Sequence, residues 1–321
     1  MPMVIIPQRL AKQSSFSPSA RVPRVVPVKA RHHILCSTAM PPGRELEASS
    51  TRFRGPSEGP LSQAQVDTFF RDGVVIVPGL LKGELLEKVM SVRTNVNSRF
   101  PGKETYDSLA FNLWEQHPVF KVVALASPLS LVAKQLTPSV ANGDESLHVI
   151  NDAFFAFSGQ NAGCGWHVDD NFFWPALRES DGPGLNIWVA LDEVTEGGGG
   201  LAVAPGSAAE EYLDIREAQF AHGQTCQLAK MDPAMNSRLE KLALIPQMAP
   251  GDAIVHTRFL FHRTNPFADG IVEIRREAIA RYSVRYMPGS AVHNGVPMNN
   301  PTGEKKRLDA FGGDLYPRAE V

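Results

Sequence analysis

The sequence predicts a mainly β protein, a sandwich, barrel or jelly roll, with flanking helices at its N-terminal side. Two observations predict it. After about residue 146, short apolar or alternating runs are separated by Gly, Pro and Asn, the pattern of many short strands joined by turns. Before that point, apolar residues recur at helical spacing. The length of 321 residues fits one such domain with extensions, or two small domains.

The first helix is predicted to begin just after Leu61. Ser62 and Gln65 form a capping box, and the apolar residues that follow repeat at helical spacing until Gly73. The apolar run from Val74 to Val77 then predicts a short buried strand, which Pro and Gly end.

The remaining elements follow in chain order. Apolar residues three or four apart predict a second helix between Leu85 and Phe100, and a third is predicted at Pro128 to Leu136. Strands are predicted at Leu147 to Phe157, Leu185 to Leu191, Leu201 to Val203, Ala253 to Phe261 and Ala278 to Tyr286. The polar region from Glu210 to Arg238 has only a weak helical pattern and is predicted to cross the barrel mouth.

The first 44 residues have a different composition. They contain no Asp or Glu but seven Arg or Lys residues and a cluster of serines, which is typical of an organellar transit peptide. Prolines interrupt the amphipathic helix that mitochondrial import favours, so the segment favours a plastid over a mitochondrial address; a disordered basic tail on a cytoplasmic protein is the alternative. The predicted organisation is a transit peptide at 1–44, a linker at 45–60, one domain at 61–290 and a C-terminal extension at 291–321.

Bulk composition excludes several classes of protein. The hydrophobic fraction of 43% and charged fraction of 21% are those of an ordinary soluble globular protein, and no apolar run is long enough to span a membrane. A net charge of −2 with dispersed basic residues gives no footprint for nucleic acid. Cys36, Cys164 and Cys226 are odd in number and far apart, which excludes a disulfide framework and a Cys-rich zinc site and suits a reducing compartment. Nothing in the sequence specifies an oligomeric state.

The stretch "GWHVDDNFFW" contains a His-x-Asp pair, His167 and Asp169. Alternate residues of a strand face the same side, so both can point inward, whereas Asp170 has the wrong parity. One imidazole and one carboxylate are two-thirds of a facial triad for non-heme iron(II). The alternative is two polar residues on a strand edge.

A second histidine ligand must come from elsewhere in the chain. The stretch "PGDAIVHTRFLFHRTNP" offers His256 and His262. A strand-like run leads to His262, after which the chain turns at Asn265 and Pro266, and a ligand at a strand end near a barrel mouth is geometrically reasonable. A hydrogen-bonded core histidine is the alternative for His262.

Five motifs together resemble, in the same order, the phytanoyl-CoA dioxygenase family of Fe(II)- and 2-oxoglutarate-dependent oxygenases. They are "FFRDGVVIVPGLL", "WHVDDNFFW", "LNIWVALDEVTEGGGGLAVAPGS", "GDAIVHTRFLFH" and "RREAIARY", and they cover about residues 61 to 290. The resemblance implies a double-stranded β-helix (a cupin-like jelly roll) in which His167, Asp169 and His262 bind iron. His262 lies eleven residues after Gly251, which is the family's spacing, and His256 does not.

The family also places an arginine after the distal histidine to bind the far carboxylate of 2-oxoglutarate. Arg275 and Arg276 compete for this role. Arg276 shares a strand face with small residues and Tyr282, whereas Arg275 shares one with Arg281 and Ser283, which we interpret as facing solvent. Because a guanidinium pairs bidentately with a carboxylate, this parity favours Arg276.

Other residues enter through the same resemblance. It implies that Thr264 hydrogen-bonds 2-oxoglutarate and that Trp188 lines its pocket, although a core aromatic is the alternative for Trp188. Arg178, Arg258 and Arg263 lie near the predicted mouth, where they could hold an acidic substrate or be solvated surface charges.

The implied activity is oxidation of a small molecule, with iron(II), 2-oxoglutarate and O2. Three protein ligands on one face of iron leave three positions, two for 2-oxoglutarate and one for dioxygen. Hydroxylation, desaturation or oxidative ring closure would release succinate and CO2. A cupin-like isomerase or a non-catalytic small-molecule binder is the alternative, because the fold does not fix the function.

Overall fold

The structure is a computed structural model, and it describes the following parts of the chain: residues 59–92, 108–157, 163–169, 184–222, 226, 228–268, 279–290 and 316–321. The predicted transit peptide at 1–44, almost all of the linker and most of the C-terminal extension lie outside these residues, so the plastid address stays a prediction. Within the described parts, no helix is long and apolar enough to cross a membrane.

In the described parts of the chain, helices alternate with β1 and β2 before the run of strands that starts at β3, and a second group of helices lies between β5 and β6. The described helices are α1 (Gln63–Asp72), α2 (Gly83–Val92), α3 (Leu113–Gln116), α4 (Pro118–Leu125), α5 (Pro128–Gln135), α6 (Pro138–Ala141), α7 (Leu213–His222), α8 (Leu228–Met231) and α9 (Pro233–Glu240). The described strands are β1 (Val74–Val77), β2 (Ser108–Phe111), β3 (Leu147–Phe157), β4 (Leu185–Ala190), β5 (Leu201–Val203), β6 (Ala253–Thr257), β7 (His262–Thr264) and β8 (Ile279–Pro288).

The strands form two antiparallel sheets. The larger sheet has the order β1-β6-β4-β8-β3-β2, and the smaller one pairs β5 with β7. Crossovers between strands that are distant in sequence, such as β8 between β4 and β3, are typical of jelly rolls rather than simple meanders. The predicted mainly β architecture is therefore confirmed.

The entry into the sheet follows the sequence prediction closely. The Ser62 side chain accepts a hydrogen bond from the backbone N–H of Gln65, and the Gln65 side chain accepts one from Ser62, which completes the capping box. Gly73 ends α1 at a positive φ of 74°, and its N–H donates to the carbonyl of Phe69. The left-handed conformation reverses the chain directly into β1.

Both faces of the large sheet are buried. Tyr282 and Val284, two residues apart on β8, point to the same side and pack with Ile187 of β4 in the main core against the helices. On the opposite face of β4, Trp188 packs in a second cluster with Val203 of the small sheet. The large sheet thus lies between helices and the small sheet, as expected for strands that separate two packed layers.

This arrangement corrects the interpretation of one strand face. Arg281 and Ser283, which parity placed toward solvent, are only 3% and 1% exposed. Alternation along a strand identifies two faces but does not say which one meets water, and here neither does. The argument that favoured Arg276 over Arg275 therefore rested on a wrong premise.

Two predicted elements also differ in the structure. The strand predicted from Ala253 to Phe261 is divided, because the chain turns after Thr257 and starts a new strand, β7, at His262. The polar region from Glu210 to Arg238 forms helices, and Ile215, Leu228 and Leu239 of these helices pack against Trp166 in a third cluster. The inserted helices therefore support the segment that contains the His-x-Asp pair.

Candidate metal centre

Three side chains converge inside the roll. The ligand atoms of His167, Asp169 and His262 all lie within 4.8 Å of one another. His167 and His262 form an antiparallel bridge in which each backbone N–H donates to the other's carbonyl at 2.9 Å. This pairing places the two imidazole rings side by side, with centroids 4.3 Å apart. Asp169 Oδ1 lies 3.8 Å from His262 Nε2.

Both imidazoles are neutral and oriented for metal binding. Burial, reinforced by a neighbouring histidine in each case, lowers the pKa of His167 to about 3 and that of His262 to about 4. The Nδ1 of His167 lies 2.7 Å from the Gly165 carbonyl, and the Nδ1 of His262 lies 3.0 Å from the Leu260 carbonyl. Because a carbonyl only accepts, each Nδ1 carries the proton and each Nε2 keeps its lone pair.

Asp169 is held ionised by a buried cation. Burial opposes its ionisation, but the guanidinium of Arg285 and the nearby His262 dipole lower the pKa of Asp169 well below its ordinary value. Arg285 Nε donates to Oδ2 at 3.1 Å, and Nη2 donates to Oδ1 at 3.2 Å. Asn186 Nδ2 also donates to Oδ2, at 3.2 Å. Two neutral imidazoles and one carboxylate on a single side fit the facial triad of iron(II).

His256 lies close to this cluster but does not belong to it. Its ring centroid is 4.7 Å from that of His262, it is completely buried, and burial lowers its pKa. His256 Nδ1 lies 2.9 Å from the Thr257 carbonyl, and its Nε2 has no hydrogen-bond partner among the described residues. The converging group contains His262 and not His256.

The residues predicted for 2-oxoglutarate are only partly described. Arg276 lies outside the described residues, so its role stays a prediction. Thr264 is in β7, two residues after His262, and its Oγ1 accepts a hydrogen bond from the Cys164 N–H at 3.1 Å. Trp188 is on the inner face of β4, the face from which Asn186 reaches Asp169.

Arg281 is a buried cation that the sequence interpretation missed. Its guanidinium carbon lies 5.3 Å from the centre of the Trp188 ring, and Nη1 binds Asp192 and the Ala280 carbonyl. Its Nε and Nη2 are buried and have no partner in the described parts of the chain. Burial lowers the pKa of Arg281 to about 9. The sequence feature that could have identified Arg281 is the run Arg-x-Ser-x-Arg at 281–285. It places polar side chains at alternate positions of an otherwise apolar strand, which indicates a polar face inside the roll.

The arginines predicted at the mouth have different surroundings. Arg178 lies outside the described residues. Arg258 is buried with its guanidinium 4.7 Å from the Phe259 ring centre, so it is not a solvated surface charge. Arg263 pairs with Glu240 at 3.1 Å and lies over Trp166.

The described residues contain one disulfide that the cysteine spacing did not predict, although a single bond is not the disulfide framework that the sequence excluded. Cys164 and Cys226, 62 residues apart, form a disulfide. Cys164 Sγ lies 3.3 Å from Nδ1 of His167, while Cys226 is at the exposed surface. The bond therefore connects the inserted helical region to the segment that carries the first predicted metal ligand. Spacing along the chain gave no indication of this pairing.

We expect reduction of the disulfide to lower the free energy of unfolding by roughly 4 kcal/mol, because the bond closes a long loop and restricts the unfolded chain. Urea unfolding with and without dithiothreitol measures the difference. A Cys226→Ser variant is the control, since its unfolding should not respond to the reductant. Equal stability of the oxidised and reduced wild-type protein would contradict the prediction.

Comparison with known proteins gives the family. A sequence model of the phytanoyl-CoA dioxygenase (PhyH) family matches residues 69–268. The chain belongs to the phytanoyl-CoA dioxygenase family. Enzymes of the PhyH family are non-heme iron oxygenases that use 2-oxoglutarate and O2, as the resemblance implied. None of the curated proteins matches this sequence.

Solved structures agree with the PhyH fold. The non-heme alpha ketoglutarate dependent carbocyclase SnoK from nogalamycin biosynthesis is 17% identical, with a TM-score of 0.57 over 81% of this chain and 97% of that one. EctD from S. alaskensis with bound Fe is 18% identical, with a TM-score of 0.54 over 74% and 80%. EvdO2 from Micromonospora carbonacea var. aurantiaca, complexed with 2-oxoglutarate, is 18% identical, with a TM-score of 0.51 over 72% and 92%. The predicted cupin-like double-stranded β-helix is confirmed.

Proposed function

We propose that this PhyH protein binds iron(II) through His167, Asp169 and His262 and oxidises a small organic molecule, with release of succinate and CO2. The convergence of these three ligand atoms within 4.8 Å carries the proposal. Both histidines present an unprotonated Nε2, and Asp169 presents an ionised carboxylate. Bound iron would supply the activation of O2, with 2-oxoglutarate as the reductant that is converted to succinate and CO2; the protein supplies the ligands and the orientation of the cosubstrate.

We assign the far carboxylate of 2-oxoglutarate to Arg281. Its Nη1 is already engaged, but Nε and Nη2 form the edge of the guanidinium that binds a carboxylate bidentately, and both are without a described partner. Trp188, which contacts this guanidinium, shares a face of β4 with Asn186, which donates to Asp169, so Arg281 is on the side of the sheet that carries the predicted metal ligands. Arg275 and Arg276, which compete for this role under the resemblance, are the alternatives.

The substrate is proposed only as a class. SnoN, an epimerase from nogalamycin biosynthesis, has been solved with alpha ketoglutarate and nogalamycin RO, and EctD has been solved with 2-oxoglutarate and 5-hydroxyectoine. These ligands differ greatly in size, so the shared fold supports a small-molecule substrate and does not choose one. A cupin-like isomerase or a non-catalytic binder would not need 2-oxoglutarate, which separates these alternatives experimentally.

The test is an anaerobic titration of the apoprotein with iron(II) and then 2-oxoglutarate. We expect the weak visible charge-transfer band of an iron–keto-acid chelate in the wild type, and its loss in Asp169→Ala. Asp67→Ala, which removes an exposed carboxylate on α1, is the matched control and should keep the band. If the wild type binds iron but gives no band with 2-oxoglutarate, the oxygenase proposal is wrong.

A further inference from the structure

We propose that Arg285 and Asn186 are positioning residues that restrict Asp169 to binding the metal through a single oxygen, Oδ1. The inference rests on the proposed function, because it takes Asp169 as an iron ligand. It concerns which lone pairs of that carboxylate are available, and the hydrogen bonds around Asp169 decide this.

The lone pairs of Asp169 are almost all occupied. A carboxylate has about four acceptor sites, two on each oxygen. Oδ2 accepts from Arg285 Nε at 3.1 Å and from Asn186 Nδ2 at 3.2 Å, so both of its sites are used. Oδ1 accepts from Arg285 Nη2 at 3.2 Å, which leaves one site. Oδ1 is also the oxygen 3.8 Å from His262 Nε2, so its remaining lone pair is on the side of the other ligands.

The donors are themselves held in place by the sheet. Asn186 and Arg285 are directly opposite each other on β4 and β8, and Arg285 is opposite Asn151 of β3. Asn151 Oδ1 accepts from Arg285 Nη1 at 2.9 Å. The three side chains are buried, so the guanidinium cannot exchange its partners for water.

An irregularity in β3 makes this arrangement possible. The pairing of β3 with β8 shifts register between Val149 and Asn151. Val149 belongs to the core against the helices, and without the shift Asn151, two residues later, would point to that same side. The bulge instead turns Asn151 toward Arg285, and bulges that re-aim a side chain occur often next to active sites.

One-oxygen binding has a chemical consequence. Two imidazoles and one carboxylate oxygen would fill three positions of a six-coordinate metal, and 2-oxoglutarate would fill two more, so one position would be left for dioxygen. If Asp169 bound through both oxygens, the last position would be filled. Arg285 and Asn186 therefore keep a coordination position open for O2.

The experiment uses nitric oxide as a probe for that position. The anaerobic protein is loaded with iron(II) and 2-oxoglutarate, the visible band is recorded, and nitric oxide is added and its iron complex quantified by electron paramagnetic resonance. In Arg285→Gln and Asn186→Ala we expect the band to persist while the nitric oxide signal falls about tenfold. Arg285→Lys, which keeps one cationic donor, should recover part of the signal.

Controls separate the possible failures. Arg216→Gln removes another buried arginine, one that donates to the Ser207 and Ala209 carbonyls instead, and should behave as the wild type. If Arg285→Gln does not fold by circular dichroism, the smaller change Asn186→Ala decides. A nitric oxide signal as strong in Arg285→Gln and Asn186→Ala as in the wild type would overturn this inference but not the proposed function. Loss of the band together with the nitric oxide signal also overturns it, because the residues would then be needed for metal binding itself. Absence of a band in the wild type overturns the proposed function, and this inference with it.

Discussion

Replacing His262 by alanine should abolish iron binding and turnover, whereas replacing His256 by alanine should leave a functional metal site. The two histidines are six residues apart, both are buried, and their ring centroids are 4.7 Å apart, so they form a matched pair. Only His262 contributes an Nε2 to the converging group, with its Nδ1 proton fixed by the Leu260 carbonyl. Removing one of the three ligands leaves too few donors to hold the metal. His256 only packs against the His262 ring, so its removal leaves all three ligands in place.

Iron stoichiometry after anaerobic loading and desalting measures this difference, and the 2-oxoglutarate band measures the integrity of the site. We expect His262→Ala to retain no iron and His256→Ala to bind it within about tenfold of the wild-type affinity. Thermal melts of both apoproteins test whether either loss reflects unfolding. An active His262→Ala protein, or an inactive but folded His256→Ala protein, would show that the wrong histidine was assigned.

Sequence reasoning predicted the three side chains that converge in the structure because their signals are local. The spacing in His167-x-Asp169 follows from strand parity, and the resemblance supplied the distance from Gly251 to His262. The environment of the ligands was not local. Arg285 reaches Asp169 from a strand 116 residues later in the chain, and nothing in the spacing of the two residues indicates the contact.

Parity failed where tertiary packing decided the outcome. On β8 it separated Arg281 from Tyr282 correctly, but both faces of the strand are buried, so assigning one to solvent was wrong. On β3 the bulge before Asn151 reverses which face of the sheet the following residues point to. No residue type in this stretch predicts the bulge. The disulfide between Cys164 and Cys226 depends on the path of the inserted helices, which the weak helical pattern did not reveal.

The assignment of the 2-oxoglutarate arginine is the second prediction with a large expected effect. We expect Arg281→Gln to raise the 2-oxoglutarate concentration at half-maximal band intensity by about a hundredfold or more, because two charge-assisted hydrogen bonds to the far carboxylate are lost. Arg276→Gln is the matched variant, and under this assignment it should change that concentration little. The measurement is the same anaerobic titration, carried out with saturating iron(II).

The reverse result has an equally clear meaning. A large loss of affinity in Arg276→Gln with a normal Arg281→Gln would support the sequence prediction of Arg276 and limit Arg281 to its contacts with Asp192 and Trp188. Iron affinity without 2-oxoglutarate distinguishes a cosubstrate role from damage to the fold. Arg281 contacts none of the three metal ligands, so its replacement should leave iron binding unchanged while it weakens 2-oxoglutarate. A variant that loses both would place Arg281 among the residues that maintain the structure of the site, and the far carboxylate would then require another cation.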